Sequence, residues 1–282
     1  MSKICGVIGD PVGHTISPAM HNAAYKALNL DYIYVPFRVS RDDLPRALDG
    51  MRAFNIRGLN VTIPHKVTIM PLLDEIDEFA QKIGSVNVVV NDNGILTGYN
   101  TDAHGFLYAL LDQGVDPEGQ KVAVLGAGGA SRSICFALAE RGANLTILNR
   151  TPGNAAKFAV EISTMTGRSI QVLGLNKENL AGVLDNCNIL INTTSVGMYP
   201  QAECTLVEHD LIKPHLTVVD IVYNPLKTKL LAEAEKSGAR IISGVDMLIW
   251  QGALAFEIWT GRQAPINIMR KDAQRFLKSH EK

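Results

Sequence analysis

Between residues 121 and 242, apolar runs of strand length recur at 122–125, 145–148, 169–173, 189–192, 217–221 and 240–242, with helical patterns between most of them. Strands separated by a helix cannot pair as hairpins; they line up in parallel, and this rhythm specifies a doubly wound nucleotide-binding domain. A looser alternation precedes it: strands at 4–8, 32–39 and 58–63, a helix opening at Ser17 and another over 42–54. Ser17-Pro18 suits a helix start, because Ser can cap the free amides and Pro loses no needed donor there. Residues 86–99 read as a hairpin turned at Asn93-Gly94, which tolerate the positive φ of a tight turn. A helix over 102–113 and a turn-rich stretch at 114–119 lead into the second series, and 245–280 is helical with no strand of its own. The expected class is α/β with mainly parallel sheets. At 282 residues the chain has room for about two domains.

The charge balance narrows the partners. Lys and Arg number 27 against 28 Asp and Glu, with no run of five like charges, so the footprint of a nucleic-acid or polybasic membrane binder is missing and a small ligand is expected. Cys5, Cys135, Cys187 and Cys204 are far apart with no C-x-x-C pair and no zinc-like spacing, which favours free thiols and no metal. The apolar stretch at 247–259 carries Gln251 and Glu257 and is too short to span a bilayer. The first residues, with Lys3 and Asp10 around a short apolar run, are unlike a secretory signal; the expected location is the cytoplasm.

The strand at 121–125 runs into Gly126-Ala127-Gly128-Gly129-Ala130-Ser131-Arg132 and then an amphipathic helix. Gly126 provides a tight turn, Gly128 lets backbone approach a pyrophosphate, and free amides at the helix start bind its charge; small Ala130 replaces the usual third glycine. The next strand ends in Leu148-Asn149-Arg150-Thr151, where an NAD-binding chain places a carboxylate on the ribose. None is present to repel a 2′-phosphate, and Arg150 offers a planar donor fork, so NADP is favoured over NAD. The plainer alternative is that Arg150 is a solvated surface residue and Thr151-Pro152 merely starts a helix.

In the first half, polar residues gather where strands end, the place where open α/β sheets bind ligands. Asn60, Thr62 and Lys66 surround Pro64; Ser85-Val86-Asn87 and Asn100-Thr101-Asp102 add further short polar groups. Taken singly, each has an ordinary explanation in a turn, a helix start or an exposed helix face.

Taken together they resemble the shikimate dehydrogenase family from about residue 4 to residue 270. The resemblance is carried by Gly9-Asp10-Pro11, His14-Thr15-Ile16-Ser17-Pro18, His21-Asn22, the run from Asn60 to Lys66, Gly84-Ser85-Val86-Asn87 and the run from Gly98 to Gly105. It continues through the glycine loop, Asn149-Arg150-Thr151, the run from Asn192 to Met198, Asp220-Ile221-Val222-Tyr223-Asn224-Pro225, Gly244-Val245-Asp246-Met247-Leu248 and Gln251. The family reduces 3-dehydroshikimate to shikimate with NADPH, on the route to chorismate and the aromatic amino acids. It implies a discontinuous substrate domain, 1–102 with 247–282, on a mostly parallel sheet, and a Rossmann-like NADP domain over 103–246.

The resemblance makes Lys66 and Asp102 the catalytic pair. A Lys beside a carboxylate is held in place, stabilises an oxyanion and relays a proton; whether Lys66 itself transfers the proton or chiefly polarises substrate stays open. Substrate binding falls to Thr15 and Ser17 at a carboxylate, to Asn60, Thr62, Asn87, Asp102 and Gln251 around the ring hydroxyls, and to Tyr223 near the carboxylate. The family usually has Ser at position 15; the extra methyl of Thr15 is expected to disfavour quinate. NADP contacts are assigned to Gly126, Ala127, Gly128, Gly129 and Ala130, to Asn149, Arg150 and Thr151 as a 2′-phosphate clasp, to Thr193, Ser195, Val196, Gly197 and Met198 around the nicotinamide, and to Ile221, Gly244 and Met247. A second basic residue that often follows the clasp is Asn154 here, so the NADP preference is expected to be moderate unless Lys157 helps. The oligomer expected is a monomer or a homodimer. Rival readings are a quinate or dual-specificity dehydrogenase, a ligand sensor on the same scaffold that needs no proton relay, and a Rossmann oxidoreductase for another small ketone.

Overall fold

A computed structural model of the chain describes residues 2–13 and 15–280; His14 of the first motif lies outside the described residues. Two compact units emerge, Met1–Gly105 with Ile249–Lys282, and Phe106–Leu248.

In the first unit β1 (Lys3–Gly9), α1 (Ser17–Ala27), β2 (Tyr32–Arg38), α2 (Leu44–Ala53), β3 (Gly58–Val61), the short β4 (Glu75–Ile76), α3 (Glu78–Ile83), β5 (Val88–Asp92) and β6 (Ile95–Tyr99) lead into α4 (Asp102–Asp112). The sheet runs β2-β1-β3-β5-β6-β4. Strands β1 with β2, β1 with β3 and β4 with β6 pair in parallel, and β5 alone is antiparallel, to both β3 and β6, so the sheet is mostly parallel as expected, with one reversed strand. The cause is local: Asn93 and Gly94, at φ 56° and 93°, turn the chain back on itself and β5 runs against its neighbours. Helix α2 covers one face of the sheet with Leu44, Leu48 and Met51, a helical i, i+4, i+7 stripe, packed on Leu59, Val61, Val89 and Leu96. Burying each such side chain stabilises the fold by roughly 1.5–3 kcal/mol before entropy is set against it.

The second unit contains β7 (Lys121–Leu125), α5 (Gly129–Glu140), β8 (Asn144–Asn149), α6 (Pro152–Thr166), β9 (Gln171–Gly174), α7 (Lys177–Leu184), β10 (Ile189–Asn192), β11 (Thr217–Asp220), α8 (Lys229–Lys236) and β12 (Arg240–Ser243). Its sheet is ordered β12-β11-β10-β7-β8-β9, with every pair parallel. Counted within the unit this is the 3-2-1-4-5-6 order of a dinucleotide-binding sheet, whose strand order reverses between β7 and β10. Ala123, Leu125, Leu190 and Val218 pack with Leu180 and Leu184 of α7 and Leu230 and Leu231 of α8.

The last two helices are α9 (Gly244–Thr260) and α10 (Ile266–His280), and α10 packs against α1. The boundaries between the units therefore fall inside α4 and α9. No helix among the described residues is long and apolar enough to cross a membrane. The four cysteines are free; Cys5 and Cys135 are buried, and burial pushes both thiols up to about 12, which keeps them unreactive.

Candidate active site

Because β5 is reversed, one edge of the first sheet gathers the carboxyl ends of β1, β3 and β6 and the amino end of β5. Three segments are stitched together there by backbone hydrogen bonds: Val61 donates to the Asn87 carbonyl at 2.8 Å, Val86 to Lys66 at 2.8 Å, and Asn87 to Tyr99 at 3.0 Å. Asn87 thus enters from the start of a strand.

Lys66 Nζ donates to Asp102 Oδ2 at 2.5 Å, with the side chains only 14% and 5% exposed. A pair this buried is held only where the carboxylate's other oxygen is also satisfied. Asn87 Nδ2 does this, donating to Asp102 Oδ1 at 2.9 Å and lying 3.4 Å from Gln251 Oε1. The Asn87 amide cannot turn round, because its Oδ1 accepts the Thr101 backbone N–H at 2.7 Å. Asn100, a residue not singled out alone in the sequence, supports Asp102 from below: it donates to the Ser85 carbonyl at 2.8 Å and accepts the Ala103 N–H at 3.2 Å, capping α4. Gln251 arrives because Gly105 lets α9 approach α4; a Cβ on Gly105 would stand 2.6–2.8 Å from Gln251 N, Cβ and Cα.

Asn60, buried at the end of β3, donates through Nδ2 to the Asn87 carbonyl at 3.3 Å. Thr62 follows it, half-buried, and its methyl is why position 9 is glycine: a Cβ there would collide with Thr62 Cγ2. Thr15 and Ser17 form a hydroxyl pair of their own at 3.2 Å on the segment after β1. Ser17 does not cap α1. Ile16 occupies that position without a side-chain bond, and Ser17 sits in the first turn with its hydroxyl turned to Thr15.

In the second unit, Gly126 has φ 108° and a Cβ there would lie 2.8 Å from Thr194 Cγ2 and 2.9 Å from Thr193 Oγ1, so only glycine permits the loops after β7 and β10 to meet. Thr193 donates its hydroxyl to the Leu125 carbonyl at 2.6 Å, and Ser131 donates to the Gly126 carbonyl at 2.8 Å. Ala127, Gly128, Gly129 and Ala130 carry the turn into α5, and a Cβ built on Gly128 would meet no protein atom within 4 Å. Asn149 donates to the Thr151 carbonyl at 2.8 Å, bending the chain so that Arg150 stands exposed at the carboxyl end of β8. Thr151 occupies the N-cap of α6 without a side-chain hydrogen bond, and Pro152 opens the helix as Thr151-Pro152 suggested. Asn154 and Lys157 are exposed on that helix.

Asp220, which drew no role from the sequence, anchors the remaining loops. Its carboxylate accepts from Asn192 Nδ2 at 2.9 Å, Val222 N at 3.0 Å and Thr228 Oγ1 at 2.7 Å. Burial pushes this carboxyl up to about 6, against those three stabilising donors. Asn192 in turn accepts from Thr194 N and Oγ1, which shapes the run through Ser195, Val196, Gly197 (φ 91°) and Met198. Ile221 lies beside Gly244, where any Cβ would collide with the Ile221 carbonyl; Met247 is buried one turn on, and Tyr223 is half-buried. The residues fit NADP: a glycine cradle at the switch point, a free guanidinium fork at the end of the second strand and no carboxylate beside it.

Family models cover most of the chain: residues 7–89 match the shikimate dehydrogenase substrate binding domain, 110–225 the shikimate/quinate 5-dehydrogenase family, and 244–274 the shikimate 5′-dehydrogenase C-terminal domain. A shikimate dehydrogenase (NADP+) of Methanosarcina barkeri is 48% identical over 273 residues, 96% of this chain and 97% of the relative. Among solved structures, a shikimate dehydrogenase in complex with NADP+ superposes with TM-score 0.91 at 41% identity, covering 98% of this chain and 96% of that one. Shikimate 5-dehydrogenase from Thermus thermophilus, in complex with NADP(H) and shikimate, gives 0.87 at 37% identity over 98% and 100%. Matched in both units and aligned to relatives over nearly its full length, the chain belongs to the shikimate dehydrogenase family.

Proposed function

We propose that the chain catalyses the reversible, NADPH-dependent reduction of 3-dehydroshikimate to shikimate, with Lys66 and Asp102 as the catalytic pair. The observation that carries this reading is the buried Lys66–Asp102 ion pair, locked by Asn87 at the ligand-binding edge of the first sheet. The loop from Gly126 to Ala130, the Asn149–Arg150–Thr151 clasp and the walls from Thr193, Ser195 to Met198, Ile221, Gly244 and Met247 would hold NADPH, which would supply the hydride. The first unit serves as substrate domain and the second as NADP domain.

Ketone reduction leaves negative charge on oxygen and needs one proton there. The Lys66 ammonium has three N–H donors and uses one on Asp102, so it is placed to hold the developing alkoxide and its proton. Asp102, acceptor on both oxygens, keeps the ammonium aimed, and in the reverse direction the amine left neutral by proton donation takes the hydroxyl proton back. Thr15 and Ser17 offer hydroxyls to the substrate carboxylate, while Asn60, Thr62, Asn87 and Gln251 surround the ring hydroxyls. The enzyme acts in the cytoplasm as a monomer or homodimer on small molecules.

Arg150 tests the cofactor assignment. A charge-assisted hydrogen bond is worth roughly 1.5–3 kcal/mol, which is about 10- to 100-fold. Arg150→Ala is expected to lower kcat/KM for NADPH by about that factor while NADH changes by less than about twofold. Steady-state kinetics with both cofactors decide it, and equal kcat/KM for NADPH and NADH in the unaltered protein contradicts NADP specificity.

A further inference from the structure

His21-Asn22 is a run of the first-half motifs to which no chemistry has been given. Both residues converge on Tyr34 of β2. Strand β2 is the outermost of its sheet, and Asn22 takes the place of a further strand at a single residue: its Nδ2 donates to the Tyr34 carbonyl at 2.9 Å and its Oδ1 accepts the Tyr34 N–H at 2.8 Å. The His21 ring lies flat on the Tyr34 ring, centroids 4.3 Å apart and planes 2° from parallel. His21 is fully buried, neither ring nitrogen has a hydrogen-bond partner, and burial pushes its pKa down to about 3, so it serves as a neutral slab. Helix α9 closes over it at Gly252, where a Cβ would lie 3.3 Å from His21 Nε2. Backbone and ring of Tyr34 are therefore both fixed, and its hydroxyl, 2.7 Å from Asn60 Oδ1, is the part that reaches the site.

That contact determines what Asn60 presents. With Oδ1 occupied by the tyrosine hydroxyl and one Nδ2 hydrogen on the Asn87 carbonyl, the amide has a second N–H to offer. We propose that Tyr34, mounted on His21 and Asn22, is a positioning residue that holds the Asn60 amide with its N–H side toward substrate, so that the site reads an oxygen acceptor at this point. Without the hydroxyl, the orientation of the amide rests on the long 3.3 Å bond to the Asn87 carbonyl. The proposal rests on the placement of Asn60 in the substrate site.

A double-mutant cycle in the full chain tests it, with initial rates of shikimate oxidation for Tyr34→Phe, Asn60→Ala and both together. Tyr34→Phe keeps the ring and its stack and is expected to raise KM for shikimate about 5- to 20-fold, with kcat changed by less than about threefold and KM for NADP unchanged. In the Asn60→Ala background the same substitution is expected to add less than about twofold, because its effect runs through Asn60. A wild-type KM for Tyr34→Phe beside a raised KM for Asn60→Ala overturns the proposal and leaves the site reading intact, as do effects that multiply in the double variant. A wild-type KM for Asn60→Ala removes Asn60 from the substrate site and overturns both.

Discussion

Lys66→Ala is expected to lower kcat for shikimate oxidation by about a thousandfold or more, with NADP affinity within about twofold of the unaltered protein. The size follows from two losses at one atom. Removing an oxyanion donor costs about 10²–10³ in rate, and removing a positioned proton-transfer group contributes typically 10²–10⁴, the two overlapping because one ammonium does both. The substitution also strands Asp102, which is 5% exposed and keeps only Asn87 as a side-chain donor, so a fall in thermal stability accompanies it. Nucleotide affinity separates the two effects, since it reports a folded second unit. Near-normal turnover eliminates Lys66 from the catalytic pair.

Gly105→Ala is expected to reduce kcat/KM for shikimate about 100-fold, although position 105 itself carries no chemistry. The added methyl would stand 2.6 Å from the Gln251 amide nitrogen and 2.8 Å from its Cα, and backbone cannot swing aside as a long side chain can. Helices α4 and α9 must move apart, carrying Asp102 and Gln251 with them. A displacement of about 1 Å at a reacting group costs up to about 10²-fold, and overpacking a close crossing costs roughly 1–3 kcal/mol of stability. Melting temperature and kcat/KM are therefore expected to fall together. A wild-type kcat/KM contradicts the role given to the crossing.

Much of the scaffold was legible because it is written in local periodicity. Strands 122–125 and 189–192 and the Asn93-Gly94 turn needed only a window of a few residues, and the glycine loop announced itself by standing between a strand and a helix. The antiparallel β5 was already implied by that turn, but its consequence for the sheet, and for Asn87 entering from a strand's amino end, depends on how β5 pairs with β3. Ser17 followed the ordinary preference for helix caps and was misread, since Thr15 two residues earlier competes for its hydroxyl.

The site itself joins positions that no window contains: Lys66 with Asp102, Asn87 with Gln251, Tyr34 with Asn60. Lys66 and Asp102 stood out only as polar groups near strand ends, and their roles, like that of Gln251, came through the family resemblance. Asp220 and Tyr34 stayed silent for a different reason. A buried Asp at a strand end reads as a turn residue and a Tyr in a strand as core, until the structure shows three donors on the one and an amide on the other.

A single assay tests whether the protein interconverts shikimate and 3-dehydroshikimate with NADP. NADPH or NADH formation is followed with shikimate and with quinate, each against NADP and NAD. The highest kcat/KM is expected for shikimate with NADP, with quinate disfavoured by the methyl of Thr15. Turnover in none of the four combinations contradicts dehydrogenase activity and favours a ligand sensor that keeps the pocket without its chemistry.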